Sequence, residues 1–448
     1  MNIAQNIAKS PSVAANSMKA AYSTAAPSSK IYRDAMTGEV TSLPDIDVRW
    51  KVSKLQIEKI ANPKTIPPSN TLRFGHTFSD HMLIIPWNSG SGWGAPTIKP
   101  YGPLTLDPSA VCFHYAPQLF EGMKAYRDSE GNVRLFRPDM NMARMNRTAE
   151  RAALPTFDGQ SMVELIRRLV VLDQNWIPQE PGYSLYIRPT LIGTQASLGV
   201  GASSDALLYV ICSPVGPYFK NGFKPVKLLA TSKNVRAWPG GTGAFKLGAN
   251  YVQGVKPQHE AAEKGYDQNL WLFGEGEELT EVGTMNLFIV VRNDAGETEL
   301  ITPPLGDMIL PGVVRDSILN LARDPPEWLK EQLPENFKVT ERRITMPELA
   351  KLAEEGRVVE SFGSGTACII ASISCVNWRE KDITIPVEAD GSGAIATVLR
   401  NAIEAVQLGR EEHPWSILPV AVADFVVAHI EKVIAPTLMA LMVDLQEH

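Results

Sequence analysis

Gly240-Gly241-Thr242-Gly243-Ala244-Phe245-Lys246-Leu247-Gly248-Ala249-Asn250-Tyr251 is the stretch around which the chain is organised. It sets one lysine among small residues, with an aromatic hydroxyl five positions later. A lysine taken out of water loses its proton readily, and its free amine attacks carbonyl groups. Glycines on both sides let a flat ligand approach the backbone. Tyr251 is placed to hydrogen-bond whatever the lysine holds. Read alone, the segment is better explained as a surface turn with a solvated lysine, as most lysines are. Its neighbours reverse that judgement.

Before the lysine, residues 226–230 read as a strand, and after it a helix is expected from Asn250 towards Lys264, ending at Gly265. Pro257 should kink that helix or shorten its first turns. Residues 270–273 and 286–291 read as strands flanking Gly274-Glu275-Gly276, and Asn293-Asp294-Ala295-Gly296 as a hairpin turn. Residues 309–315 break a strand and open a helix with Val314, Ile318, Leu321 and Ala322 inward. Thr345-Met346-Pro347-Glu348 caps the next helix, with proline in the first turn. Residues 361–367 read as a loop of small residues, and Ile369, Ala371, Ile373 and Cys375 alternate along a final strand.

Towards the N-terminus, strands are expected at 72–78, 80–86, 110–115, 133–136, 183–189 and 207–211. Residues 118–126 turn and re-enter a strand. Residues 139–153 form a helix bearing Arg144. Ser161-Met162-Val163-Glu164 reads as a capping box for a helix with Met162, Leu165, Ile166, Leu169 and Val170 on one face. Strands mixed with segregated helices argue for an α+β protein rather than repeating βαβ units.

A chain of 448 residues exceeds one core. We divide it into an N-terminal tail (1–47), a smaller domain (48–213), a linker (214–222), a larger domain (223–415) and a C-terminal extension (416–448). The linker rests on Pro214-Val215-Gly216-Pro217 and Asn221-Gly222. Residues 1–33 carry Lys9, Lys19, Lys30 and Arg33 with many Ala and Ser and no acid, the composition of an organellar transit segment or of a disordered tail. The compartment expected is therefore mitochondrial or cytoplasmic. The net charge of -6, from 43 basic and 49 acidic residues, gives no electrostatic reason to expect nucleic acid. No uncharged apolar run reaches a membrane span. The four cysteines form no Cys-x-x-Cys pair, which argues against a zinc or disulfide framework, and no metal is expected.

Several pieces carry chemistry only when combined. Pro311-Gly312-Val313-Val314 puts free backbone N–H groups at a helix start, a ready phosphate site, though Pro-Gly is also an ordinary helix boundary. Gly363-Ser364-Gly365-Thr366-Ala367 offers hydroxyls and accessible backbone. Glu281 stands among apolar and small residues; buried, it needs a positive or donating partner, and otherwise it is a surface hairpin glutamate.

Taken jointly, these residues resemble the branched-chain aminotransferases, of the fold-type IV group of pyridoxal-phosphate enzymes. The resemblance runs from about Leu72 to Ser416. It rests on Gln118-Leu119-Phe120-Glu121-Gly122, Tyr186-Ile187-Arg188-Pro189, Arg236-Ala237-Trp238 running on to Lys246, Thr280-Glu281-Val282-Gly283-Thr284-Met285-Asn286, and Gly363-Ser364-Gly365-Thr366-Ala367-Cys368. It implies two α/β domains with pyridoxal 5'-phosphate at their interface, and reversible exchange of amino groups between leucine, isoleucine or valine and 2-oxoglutarate.

The resemblance also implies roles. Lys246 matches the lysine that carries the cofactor and moves the substrate proton. Glu281 matches the carboxylate facing the pyridine nitrogen, and Tyr251 the partner of the phenolic oxygen. Arg144, Val313, Val314 and Thr366 match the phosphate cup, and Arg236 an arginine near the cofactor. Phe74, Phe120, Tyr186 and Thr284 match the side-chain pocket, and Tyr115 a residue reaching in from a second subunit, which implies a homodimer. Arg188 is the candidate for the side-chain carboxylate of glutamate. Thr366 and Ala367 match the turn that receives the α-carboxylate. Many animal members carry a Cys-x-x-Cys pair here; Cys368-Ile369-Ile370-Ala371 keeps only the first cysteine, so no dithiol switch is expected. Remaining alternatives are a D-amino acid aminotransferase or an aminodeoxychorismate lyase of the same fold, or a non-catalytic binding protein.

Overall fold

The structure, a computed structural model, describes residues 31–33, 40–42, 52–217 and 224–418. The transit-like stretch 1–33 falls almost wholly outside them, as do Asn221-Gly222 and most of the C-terminal extension. Strands Ile31–Arg33 and Val40–Ser42 pair antiparallel.

Two sheets carry the molecule. In the first, strands follow one another in the order Ser416–Ile417, Val133–Phe136, Met123–Arg127, Ser184–Gly193, Asp205–Val215, His81–Asn88, Thr97–Pro100 and Gln56–Ile57. Its pairings are antiparallel except the last. The strand Asp205–Val215 alternates, burying Ala206, Leu208, Val210 and Cys212. Helices Pro138–Arg151 and Gly159–Leu172 cover this sheet. Met142 and Met145 from one, and Leu165, Ile166 and Leu169 from the other, pack with Leu83, Ile85 and Leu185.

The second sheet runs Glu278–Val282, Gln268–Phe273, Val226–Thr231, Ile369–Trp378, Val358–Gly365, Met285–Arg292, Thr298–Thr302 and Lys338–Glu341. Glu278–Val282 also pairs with Met285–Arg292, so the strands between them close into a ring. Both faces are covered. Phe288, Val290 and Phe362 pack against helices Val313–Arg323 and Ala394–Gln407, while Leu287, Ile289 and Ile373 pack with helix Met346–Glu354 on the other side. Met285–Arg292 therefore reads as a continuous apolar run rather than an alternating one.

Several expectations need correction. Residues 72–78 form no strand: Leu72 is buried, but the chain turns through Phe74 and Gly75, whose φ is +71°. Residues 110–115 are not a strand but the short helix Val111–Tyr115, ended by Ala116 in the left-handed region. Strand-forming side chains there are overridden because Phe113 and Tyr115 face outward instead of into a sheet. The capping box at Ser161 lies inside its helix. Asp158 is the cap, accepting from Ser161 N at 2.7 Å, so the helix starts at Gly159. The loop expected at 361–367 is mostly strand, Val358–Gly365, whose small residues admit Met285; a Cβ on Gly363 would lie 2.9 Å from Met285 Cε. No strand immediately precedes Val313, since residues 303–312 are irregular. Helix Ala249–Glu263 runs unbroken through a buried Pro257. Strand Asp205–Val215 extends past the expected linker start, and Ser416–Ile417 pairs back onto the first sheet. Strand Glu278–Val282 and helix Ala394–Gln407 were not anticipated; Glu360 holds the helix start by accepting from Ile395 N and Ala396 N.

Candidate active site

A cleft of about 350 Å³ opens between the two sheets. Its first wall is set by a backbone join. Leu119 and Leu247 form an antiparallel bridge, and Phe120 N donates to Lys246 O at 3.2 Å. Asn250 closes the lysine loop. Its Nδ2 donates to Thr242 O and Phe245 O at 2.8 and 2.7 Å, and its Oδ1 accepts from Thr242 Oγ1 at 2.7 Å. The Lys246 amide is held by Thr148 Oγ1 at 3.2 Å. The lysine thus sits on a fixed loop, half-buried, with Nζ donating to Tyr251 Oη at 3.1 Å and lying 5.0 Å from the Phe120 ring centre. It is the one lysine among the cleft-lining residues.

Arg144 enters from helix Pro138–Arg151. Nε and Nη2 donate to the two oxygens of Glu121, both at 2.8 Å, and Nη1 donates to Pro311 O at 2.9 Å. Glu121 is fully buried and also accepts from Asn141 Nδ2 at 2.8 Å. Burial pushes the Glu121 carboxyl up, but the Arg144 charge and its hydrogen bonds outweigh this and hold it below the usual range. The fork leaves further N–H groups on Nη1 and Nη2 for a ligand. Beside it, helix Val313–Arg323 starts after Gly312 with no side-chain cap. A Cβ on Gly312 would come within 2.1 Å of Asn286 Oδ1, so the helix start is drawn tight against the neighbouring hairpin.

Glu281 lies on the strand Glu278–Val282, only 2% exposed, so it is no surface hairpin residue. Its Oε1 accepts from Asn286 Nδ2 and Leu310 N at 3.0 and 3.1 Å. Its Oε2 stands 2.8 Å from Arg236 Nη1 as an ion pair, yet the approach is not that of a hydrogen bond and Oε2 has no donor. Burial raises the Glu281 carboxyl above its ordinary range against the opposing charge of Arg236. The Ser364 hydroxyl, buried and lining the cleft, also lacks a partner.

The remaining wall is aromatic. Phe74 meets Tyr186 edge-on at 4.9 Å, and Phe120 meets Tyr251 at 4.9 Å. Arg188 lies over Phe120 at 4.6 Å and donates to Tyr186 Oη at 3.1 Å. Gly122 makes room, since a Cβ there would lie 2.0 Å from that hydroxyl. Thr284, Thr366 and Ala367 complete the lining.

The fold therefore brings Lys246, Tyr251, Arg144, Val313, Val314, Thr366, Ala367, Phe74, Phe120, Tyr186, Arg188 and Thr284 to one cleft. Three expected residues do not line it. Glu281 accepts from Asn286 and Leu310, which do line it, and pairs with Arg236, which lines an adjoining cavity with Tyr251, Gln268 and Thr284. Tyr115 is exposed, its hydroxyl on Leu198 O at 2.5 Å. Sequence reasoning missed Glu121, Asn250, Asn286, Gln268 and Lys124. Glu121 and Asn286 stood in quoted motifs without a role, and an asparagine four residues after the lysine is a signal for local backbone bonding.

The class IV amino-transferase family model matches residues 118–362. The mitochondrial branched-chain-amino-acid aminotransferase of Saccharomyces cerevisiae is 51% identical over 367 residues, 81% of this chain and 92% of its own length. The chain belongs to the branched-chain-amino-acid aminotransferase family. The cytosolic branched-chain-amino-acid aminotransferase of the same yeast is 50% identical over 367 residues, covering 81% of this chain and 96% of that one. The fold matches the crystal structure of a branched-chain aminotransferase from the archaeon Thermoproteus uzoniensis with a TM-score of 0.59 at 23% identity, over 75% of this chain and 99% of that one.

The donor set fits the cofactor that membership implies. A phosphorylated, basic pyridine needs an anion cup, an acidic partner for the ring nitrogen and an amine. The uncapped helix start with Arg144, the donorless Glu281 Oε2 and the Lys246 amine are those three groups. Among the described residues no helix is long and apolar enough to cross a membrane.

Proposed function

We propose that this aminotransferase interconverts leucine, isoleucine and valine with their 2-oxo acids, using 2-oxoglutarate and L-glutamate as the exchange pair and pyridoxal 5'-phosphate as cofactor. The observation that carries this reading is Lys246: the one amine lining an aromatic cleft, hydrogen-bonded to Tyr251 and sharing the cleft with Arg144 and a bare helix start. The bound cofactor supplies an electron sink for negative charge at the substrate Cα. Lys246 would move the proton between the substrate Cα and the carbonyl-derived carbon of the bound cofactor within each half of the exchange, with Tyr251 fixing its position. Glu281 keeps a proton on the ring nitrogen, and Arg236 sets the charge behind Glu281. Arg144, the N–H groups of Val313 and Val314, and Thr366 bind the phosphate. Thr366 and Ala367 receive the α-carboxylate.

Substrate choice follows from the wall opposite. Phe74, Phe120, Tyr186 and Thr284 favour an aliphatic side chain, worth about 25 cal/mol per Å² removed from water. Arg188, its Nε buried without a partner, accepts the second carboxylate of glutamate. One pocket then serves both halves of the exchange. The test is an absorption spectrum of the purified protein. A visible band that fades with L-leucine and returns with 2-oxoglutarate is expected. Loss of the band with a D-amino acid but not with L-leucine would move the assignment to a D-specific enzyme of the same fold, and a colourless protein after addition of pyridoxal phosphate would refute catalysis.

A homodimer completes the reading. Phe113 and Leu198 are 62% and 65% exposed, and Tyr115 and Val200 are exposed beside them in sequence. Large apolar side chains held this far out support a surface that a second copy of the chain would cover. Phe113→Glu should give a monomer by light scattering with most of its transaminase activity gone; an active monomer would remove the partner's contribution from the site. The two yeast relatives are named mitochondrial and cytosolic. Mitochondrion or cytoplasm is the reading for this chain as well.

A further inference from the structure

Lys124 has no place in the roles assigned so far. It lies on the strand Met123–Arg127 of the first sheet, directly across from Tyr186, with its side chain almost wholly buried. Its Nζ crosses to the second sheet and donates to Ala367 O at 2.8 Å. That carbonyl belongs to the turn 366–368, between strands Val358–Gly365 and Ile369–Trp378.

The turn needs an external hold. The residue after it, Ile369, has φ +62°, a left-handed conformation that a β-branched side chain strongly resists. Such a backbone persists only where its surroundings over-determine it. Cys368 Sγ contacts Met285 Sδ at 3.4 Å, a soft contact with little directional force. Within the turn, Ile370 N donates to Cys368 O at 2.8 Å. The charge-assisted bond from Lys124 is the strong directional contact, and it comes from the opposite sheet.

We propose that Lys124 is the positioning residue that holds the 366–368 turn in the conformation that receives the substrate α-carboxylate. The inference rests on the assignment of Thr366 and Ala367 to that carboxylate. Its consequence is specific. Both substrates of the exchange carry the same α-carboxylate, so loosening the turn weakens both by the same factor. A change in the aromatic wall or at Arg188 would instead separate an aliphatic substrate from an acidic one.

The hold is also sensitive to pH. Burial pushes the Lys124 ammonium down to about 8, against the raising influence of Cys368 from the turn and Glu404 from helix Ala394–Gln407. Tyr126 on its own strand stays neutral, raised by burial and by Glu404, and Arg400 stands 4.0 Å from Glu404. Below about pH 8 the ammonium grips the Ala367 carbonyl; above it a neutral amine gives a weaker bond.

The experiment compares Lys124→Met, Lys124→Gln and Thr366→Ala with the wild-type holoenzyme. In Lys124→Met the KM values for L-leucine and 2-oxoglutarate should rise together, by about tenfold for the loss of one charge-assisted bond, with kcat little changed. The visible band of the bound cofactor should be retained. The wild-type kcat/KM should decline above about pH 8, and that decline should be missing from both Lys124 variants. Lys124→Gln, which keeps a neutral donor, should recover part of the KM loss, and it carries the test by itself if the methionine variant does not fold. Unchanged KM values, a change for one substrate alone, or loss of the cofactor band overturns the proposal. If Thr366→Ala raises both KM values and the Lys124 variants raise neither, the proposal alone fails. If Thr366→Ala raises neither, the carboxylate assignment fails and the proposal falls with it.

Discussion

Lys246→Ala should lower turnover of L-leucine by at least about 10⁴-fold while leaving a folded protein, because on the roles proposed above it removes both the attachment point for a carbonyl cofactor and the proton carrier at Cα. The fold should survive since the lysine backbone is anchored independently of its side chain. The Lys246 amide is held by Thr148 Oγ1, its carbonyl by Phe120 N, and the loop around it by Asn250. The side chain itself is half-buried, with one polar partner, Tyr251 Oη. Truncation costs little packing. Lys246→Arg separates charge from chemistry. A guanidinium keeps the positive charge near Glu121 and Glu281 but cannot surrender a proton, so it should be as inactive as alanine. A small exogenous amine such as methylamine should restore a fraction of the alanine variant's turnover and none of the arginine variant's, whose side chain fills the space. Appreciable turnover by Lys246→Ala without added amine would mean that another group moves the proton, and the lysine assignment would fall.

Legibility from sequence followed the range of the interactions. Lys246 and Tyr251 are five residues apart, and the turn chemistry around them is local, so their pairing could be read from spacing. The helix start at Val313 carried its own mark in Pro311-Gly312. The interactions that give these groups their geometry are remote. Lys124 and Ala367 are 243 residues apart, and Arg144 and Pro311 are 167 apart. No periodicity encodes such contacts. Local patterns also misled where tertiary context overrode propensity. Residues 110–115 look like a strand because Val111, Cys112, Phe113 and Tyr115 favour one, but Phe113 and Tyr115 have no sheet to enter. Residues 361–367 look like a loop because they are small, yet small size is what lets a strand pack against Met285. Helix Ala394–Gln407 shows the opposite failure. Ile395, Leu399, Ala402, Ile403 and Val406 were periodic, but the start lacked a capping side chain in the sequence, because the cap comes from Glu360 on a neighbouring strand.

Glu121→Ala should be the most destabilising single change in the site, costing about 3–5 kcal/mol, although Glu121 does not line the cleft. The carboxylate is fully buried and answers four donors: Arg144 Nε and Nη2, Asn141 Nδ2 and Gly122 N. Removing it strands the buried Arg144 guanidinium with only the Pro311 carbonyl as partner. An uncompensated interior charge is far more expensive than the absence of the pair. Arg144→Met in the Glu121→Ala background should therefore restore much of the lost stability, a positive coupling that a mere cavity at Glu121 would not produce. Loss and recovery are read as Tm, with a fall of about 10 °C expected for the single variant. The pH dependence has a definite sign. Arg144 outweighs burial and holds the Glu121 carboxyl lower in the folded protein than in the unfolded chain. Its stabilisation is then complete above the unfolded carboxyl value of about 4.3 and is lost as pH falls through the lower folded value. The gap in Tm between wild type and Glu121→Ala should close on acidification below about pH 4 and stay constant above about pH 5. Function should separate the two variants from the stability effect. Arg144 without Glu121 loses its fixed orientation, so pyridoxal phosphate should bind more weakly to Glu121→Ala and not be regained in the double variant, even where stability is. Recovery of cofactor affinity in the double variant would show that Arg144 serves packing rather than the phosphate.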